Sequence, residues 1–176
     1  KLEIVGEADY TGTKTNFKPD PTIFEKVEFD FESMVSRCRE MAFLNKGIKI
    51  ILIDNRPEVP KRVELHYEGG IISFVEFLNK NKEIIHKPPI YIEGKKDDIY
   101  VEVAIQYNNG YNENVYSYAN DINTSEGGTH LTGFRSALTK VINDYARKYN
   151  YLKESDDNLL GEDVREGLTA IISVKL

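Results

Sequence analysis

The sequence predicts an α+β fold, a mostly antiparallel sheet with helices packed on one face. Three stretches predict it. From Ile99 to Tyr107, Ile99, Val101, Val103, Ile105 and Tyr107 alternate with Tyr100, Glu102, Ala104 and Gln106, the period of a half-buried strand. Leu131, Phe134, Leu138, Val141, Ile142, Tyr145 and Tyr149 recur at helical spacing, so one long helix presents a single apolar stripe. Thr169 to Leu176 is a β-rich closing strand.

The remaining elements follow in order. Leu2, Ile4 and Val5 suggest a short first strand, and Thr13 to Phe17 a second, ended by Pro19 and Pro21. Asp30 is placed to cap a helix whose stripe runs through Phe31, Met34, Val35, Cys38, Met41, Ala42 and Asn45. Glu32 lies in its first turn, where the helix dipole favours an anion, and Gly47 ends it. Ile48 to Asp54 is a nearly continuous apolar run, expected to be a strand buried on both faces. Arg62 to Tyr67 returns as a strand, and Glu68-Gly69-Gly70 breaks the chain. The domain boundary is expected there, giving units 1–67 and 68–176. A short helix with Ile71, Phe74, Val75 and Leu78 on one face follows, and then a short strand from Ile90 to Glu93. Asn108-Asn109-Gly110 signals a hairpin, because asparagine and glycine tolerate positive φ, with Val115 to Ile122 as the returning strand. Thr129 is placed to cap the long helix. Lys153 to Leu160 is polar and expected to be mobile, and Asp163 to Gly167 forms one helical turn.

A chain of 176 residues accommodates one ordinary domain or two small ones, and 40% hydrophobic with 30% charged residues is the balance of a globular protein. No apolar run approaches the ~20 residues of a membrane span, and no signal peptide opens the chain. Cys38 is the single cysteine, which excludes an internal disulfide and fits a reducing cytoplasm. Its place on an apolar stripe makes it a packed thiol rather than a nucleophile. At a net charge of −6, nucleic acid is not the partner that overall charge favours, and an independent RNA-binding domain is disfavoured. Any DNA contact must come from a local cluster working against the global field.

His66, His86 and His130 have no histidine or cysteine three or four residues on, so no metal site is expected. Neither a glycine-rich dinucleotide fingerprint nor a Gly-Lys-Ser/Thr phosphate loop is present, and no catalytic constellation is visible.

Longer motifs are more specific. Glu126-Gly-Gly-Thr-His-Leu-Thr-Gly-Phe-Arg135, Gly161-Glu-Asp-Val-Arg-Glu-Gly-Leu-Thr-Ala-Ile-Ile-Ser-Val-Lys175, Tyr10-Thr-Gly-Thr13 with Phe17-Lys-Pro-Asp-Pro21, Ala42-Phe-Leu-Asn-Lys-Gly47 and His66-Tyr-Glu-Gly-Gly-Ile71 resemble, in order and nearly end to end, the B subunits of bacterial DNA gyrase. The matching subunit of topoisomerase IV is the nearest competitor. This resemblance implies a fragment. Residues 1–67 correspond to the last part of a GHKL ATP-binding domain. Residues 68–176 correspond to most of a transducer domain that resembles domain 2 of a small-subunit ribosomal protein.

It also implies a type II DNA topoisomerase that uses ATP and Mg²⁺, dimerises through its ATPase region, pairs with a gyrase A subunit, and acts on DNA in the cytoplasm. The family's catalytic glutamate, metal-binding asparagine and adenine-binding aspartate, and its γ-phosphate lysine, correspond to positions before and after this stretch. No catalytic residue and no ATP hydrolysis are therefore expected of this chain alone. Thr13 matches a hydroxyl that helps bind adenine, against its plainer reading as a β-branched strand residue. Arg135 matches an arginine lining the DNA cavity between two transducer domains, with Lys140 and Arg147 extending a basic track. The plainer reading of Arg135 is a surface arginine paired to a carboxylate. From another class, a free-standing α+β binding module without an ATP link stays open.

Overall fold

The computed structural model describes residues 3–7 and 9–176. Eleven elements follow one another: α1 (Phe31–Leu44), β1 (Lys49–Asp54), β2 (Lys61–His66), α2 (Ile71–Leu78), β3 (Ile90–Lys96), β4 (Ile99–Tyr107), β5 (Asn114–Ala119), β6 (Ile122–Asn123), α3 (Thr129–Lys148), α4 (Gly161–Arg165) and β7 (Leu168–Lys175). The α+β expectation holds, in two sheets.

Helix α1 starts as its sequence dictates. The Asp30 carboxylate accepts the Ser33 N–H at 2.7 Å, satisfying one of the orphan donors of the first turn. Gly47, at φ +82°, turns the chain out of the helix and into β1. β1 and β2 form a two-stranded antiparallel ribbon on α1. The expectation of burial on both faces is corrected here. Ile51 and Ile53 remain about half exposed, because among the described residues α1 covers one face of the ribbon and nothing covers the other.

Among the described residues, no strand forms near the N-terminus, where two were expected. Leu2 lies outside the described residues. Ile4 and Val5 are exposed, and Thr13 to Phe17 has no regular structure. A strand exists only through backbone pairing, and among the described residues β1 and β2 form a two-stranded sheet that Thr13 to Phe17 does not join.

The second sheet has the order β3-β4-β7-β5-β6. The final strand, β7, lies in the middle, antiparallel to β4 and parallel to β5. The hairpin expected at Asn108-Asn109-Gly110 is therefore a correction: β4 and β5 are not neighbours, and β7 separates them. The two-residue turn is instead Asn120-Asp121, at φ 47° and 65°, joining β5 to β6 and breaking the strand expected to run on to Ile122.

Helices cover both faces of this sheet rather than one. Phe43 and Leu44 of α1 and Ile71, Phe74 and Val75 of α2 pack on Ala104, Tyr118 and Ile171. Leu131, Phe134 and Leu138 of α3 pack on Val103, Ile105, Leu168, Ala170 and Ile172. Successive strand residues point to opposite faces, so Ala104 and Ile105 belong to different cores. The reason is legible in β7, whose Ala170, Ile171 and Ile172 supply apolar surface to both sides. The Tyr118 ring is fully buried, and burial pushes its phenol up to about 12. No helix among the described residues is long and apolar enough to cross a membrane.

Candidate functional site

The cap of helix α3 lies one residue earlier than expected. Gly128 is the N-cap, and Thr129 is the first helical residue. Leu131, Phe134 and Leu138 face the sheet as the stripe predicts. Beyond them the buried face departs from the stripe. Asn143 and Ala146 are buried, whereas Val141, Tyr145 and Tyr149 are exposed. Asn143 turns inward because a loop returns beneath the helix. Its amide donates to the Thr139 and Leu159 carbonyls, both at 3.0 Å, and its carbonyl accepts the Leu159 N–H at 2.8 Å.

Arg147 pins the same loop. Its guanidinium donates to the Lys153 carbonyl at 2.9 Å, the Asp156 carbonyl at 2.8 Å and the Asn158 side chain at 2.7 Å. The stretch from Lys153 to Leu160, expected to be mobile, is thus held by two α3 side chains. Arg147→Ala should speed amide exchange across 153–158. The global cost should stay below about 1 kcal/mol, because these are exposed polar contacts. Hydrogen exchange alongside a denaturant titration checks this; unchanged exchange at those amides would show that the loop does not need the guanidinium.

A groove of about 460 Å³ opens beside α3, lined by Arg135, Lys140, Asn143, Asn158 and Arg165 among others. Arg135 does not point freely into solvent. Its Nε and one terminal nitrogen donate to the same Glu113 oxygen at 2.8 and 2.6 Å. The other Glu113 oxygen accepts from Arg165 Nε at 3.0 Å. One carboxylate in the β4–β5 loop therefore bridges two arginines from α3 and α4. Lys140 pairs with Asp144 one turn along at 2.9 Å, and that hydrogen bond raises its ammonium above the ordinary lysine value.

Arg135 and Lys140 line this groove, whereas Arg147 is turned to the 153–158 loop, and each of the three has a partner. Glu113 and Arg165 went unnoticed in the sequence. Arg165 sits in one of the longest motifs, but Glu113 lies in a polar loop where nothing local announces a bridging role. Thr13 is exposed in the irregular N-terminal segment, far along the chain from these elements, and lines neither this groove nor the one between α1, α2 and β3. Among the described residues no group of three or more His, Cys, Asp or Glu side chains is placed to hold a metal ion.

The architecture is similar to part of the ATPase domains solved for gyrase B and topoisomerase IV. The 43K ATPase domain of Thermus thermophilus gyrase B, solved in complex with an aminocoumarin, superposes with a TM-score of 0.79 at 39% identity, covering 91% of this chain and 43% of that one. The topoisomerase IV ATP-binding domain of Francisella tularensis shares the fold, with a TM-score of 0.70 at 21% identity over 90% of this chain and 41% of that one. The chain belongs to the DNA gyrase B family, whose sequence profile matches residues 70–176. Gyrase B subunits of Clostridium acetobutylicum and Halalkalibacterium halodurans are each 61% identical over 99% of this chain. It spans only 27% and 28% of their lengths. The resemblance read from the motifs is therefore borne out.

Proposed function

We propose that this chain is the joint of a DNA gyrase B subunit. In this reading, residues 1–67 complete a GHKL ATP-binding domain and residues 68–176 form most of the transducer. The intact protein is a cytoplasmic, ATP- and Mg²⁺-dependent type II topoisomerase that dimerises through its ATPase region, works with a gyrase A subunit and introduces negative supercoils into DNA. Thr13 joins an adenine pocket only in the context of that longer subunit. Here the chain relays: a rigid-body shift of the nucleotide domain is passed to the sheet and to the DNA path along α3.

One observation carries the reading. The groove beside α3 gathers Arg135, Arg165 and Lys140 on a chain whose net charge is −6, a local cluster of cations set against the global field. Guanidinium contacts to phosphate are strong but carry no sequence information, which suits a duplex that must be held and then released. Lys140 extends this path, and Arg147 borders it while holding the loop. The packing of α1 against α2 supports a mechanical link, since Phe43 stacks on Phe74 at 4.7 Å across the expected boundary.

The test is Arg135→Gln in the intact enzyme. Supercoiling should fall several-fold while basal nucleotide binding is unchanged. Supercoiling at the wild-type rate would remove Arg135 from the DNA path.

A further inference from the structure

We infer that Glu113 is a built-in counter-ion that competes with DNA phosphate for Arg135 and Arg165, and so sets how tightly the α3 groove holds a duplex. This rests on the reading of the groove as a DNA contact. The geometry is specific. Glu113 takes two N–H donors of Arg135 on one oxygen and one donor of Arg165 on the other. Each guanidinium has five donors, so both keep N–H groups for a second acceptor. Both side chains line the groove with Lys140 and Asn158.

The charge balance points the same way. Three cations, Arg135, Arg165 and Lys140, face two carboxylates, Glu113 and Asp144, leaving one net positive charge. That is enough to attract a phosphodiester and too little to retain a duplex. The Glu113 side chain is about one quarter exposed and those of its arginines 41% and 21%, so water and phosphate reach the pair. An incoming phosphate therefore exchanges one anionic partner for another instead of meeting bare cations. Release returns the arginines to Glu113. Glu113 also holds α3 and α4 at one spacing, which keeps the two guanidiniums preorganised as a fork.

The experiment uses the intact enzyme. It reads the duplex concentration giving half-maximal ATPase stimulation, at several salt concentrations, for the wild type and for Glu113→Gln, Arg165→Gln and Arg135→Gln. Glu113→Gln should lower that concentration several-fold at low salt and steepen the log–log salt slope by about one, the signature of an additional neutralised phosphate. Arg165→Gln should raise it and flatten the slope by about one, with an unchanged melting temperature. Should Glu113→Gln not fold, Arg165→Gln carries the test, and wild-type values for it overturn the inference. If Arg135→Gln weakens stimulation while Glu113→Gln has no effect, or weakens it as well, the counter-ion role is refuted and the DNA reading stands. If Arg135→Gln itself leaves stimulation unchanged, the DNA reading of the groove fails first.

Discussion

Gly167→Ala should destabilise the fold by about 3 kcal/mol or more, placing it among the severe point substitutions. Gly167 stands at φ +69°, where a side chain alone costs roughly 1–2 kcal/mol. A Cβ there would lie 2.3 Å from the Asn108 carbonyl oxygen and 2.7 Å from that of Gly110, both backbone atoms that cannot simply rotate away. The clash falls where Gly167 accepts the Asn108 backbone N–H at 2.9 Å and its side-chain amide at 2.8 Å. Displacing that loop forfeits two buried hydrogen bonds at roughly 1 kcal/mol each. The strand that follows is β7, the middle of the sheet, so the damage is not confined to an edge. Thermal melting should drop by about 6–12 °C, at the ~2–4 °C per kcal/mol of a domain this size. A fall of under 2 °C would mean that the Asn108–Gly110 loop yields freely.

Phe43→Ala should cost about 3–5 kcal/mol, the range for emptying a buried phenylalanine site. Phe43 is 1% exposed and stacks on Tyr67 at 3.8 Å and on Phe74 at 4.7 Å, with Phe77 at 5.5 Å. It is the α1 residue around which Tyr67, α2 and the five-stranded sheet meet, so no single neighbour can collapse into the space. The urea midpoint should fall with little change in slope, as for lost packing rather than an altered unfolded state. A loss below about 1 kcal/mol would indicate that α1 is not anchored through this ring.

Local signals in the sequence were reliable where one residue answers to its near neighbours. The Asp30 cap, the alternation of β4 and the stripes of α2 and the first half of α3 all have local causes. What could not be read is non-local. Asn108-Asn109-Gly110 has hairpin composition, yet Asn108 serves Gly167, nearly sixty residues away, and Asn109 serves Glu83. Asn120-Asp121 makes the real turn with the same tolerance of positive φ. The inward face of α3 changes at Asn143, a polar residue that periodicity assigns to solvent and that is buried because its amide holds the Leu159 backbone. At the candidate site Arg135 was legible from a motif, whereas its partner Glu113 depends on how the β4–β5 loop folds against α3 and α4. The apolar run of β1 and the N-terminal segment misled for a related reason: strand character in sequence supplies neither a layer to cover the second face of β1 nor a strand for Thr13 to Phe17 to pair with.

The central claim, that the α3 groove meets DNA through Arg135, is tested most directly by the ratio of DNA-stimulated to basal ATPase in the intact enzyme. It should be measured at several salt concentrations with two unrelated duplexes, beside a thermal melt of each protein. For Arg135→Gln the ratio should fall several-fold at low salt and converge on the wild type as salt rises. Both duplexes should behave alike, and stability should change by less than about 1 kcal/mol, as for an exposed ion pair. A ratio equal to wild type at every salt concentration, or one that falls only in proportion to lost stability, would contradict the account and leave Arg135 as a surface arginine paired to Glu113.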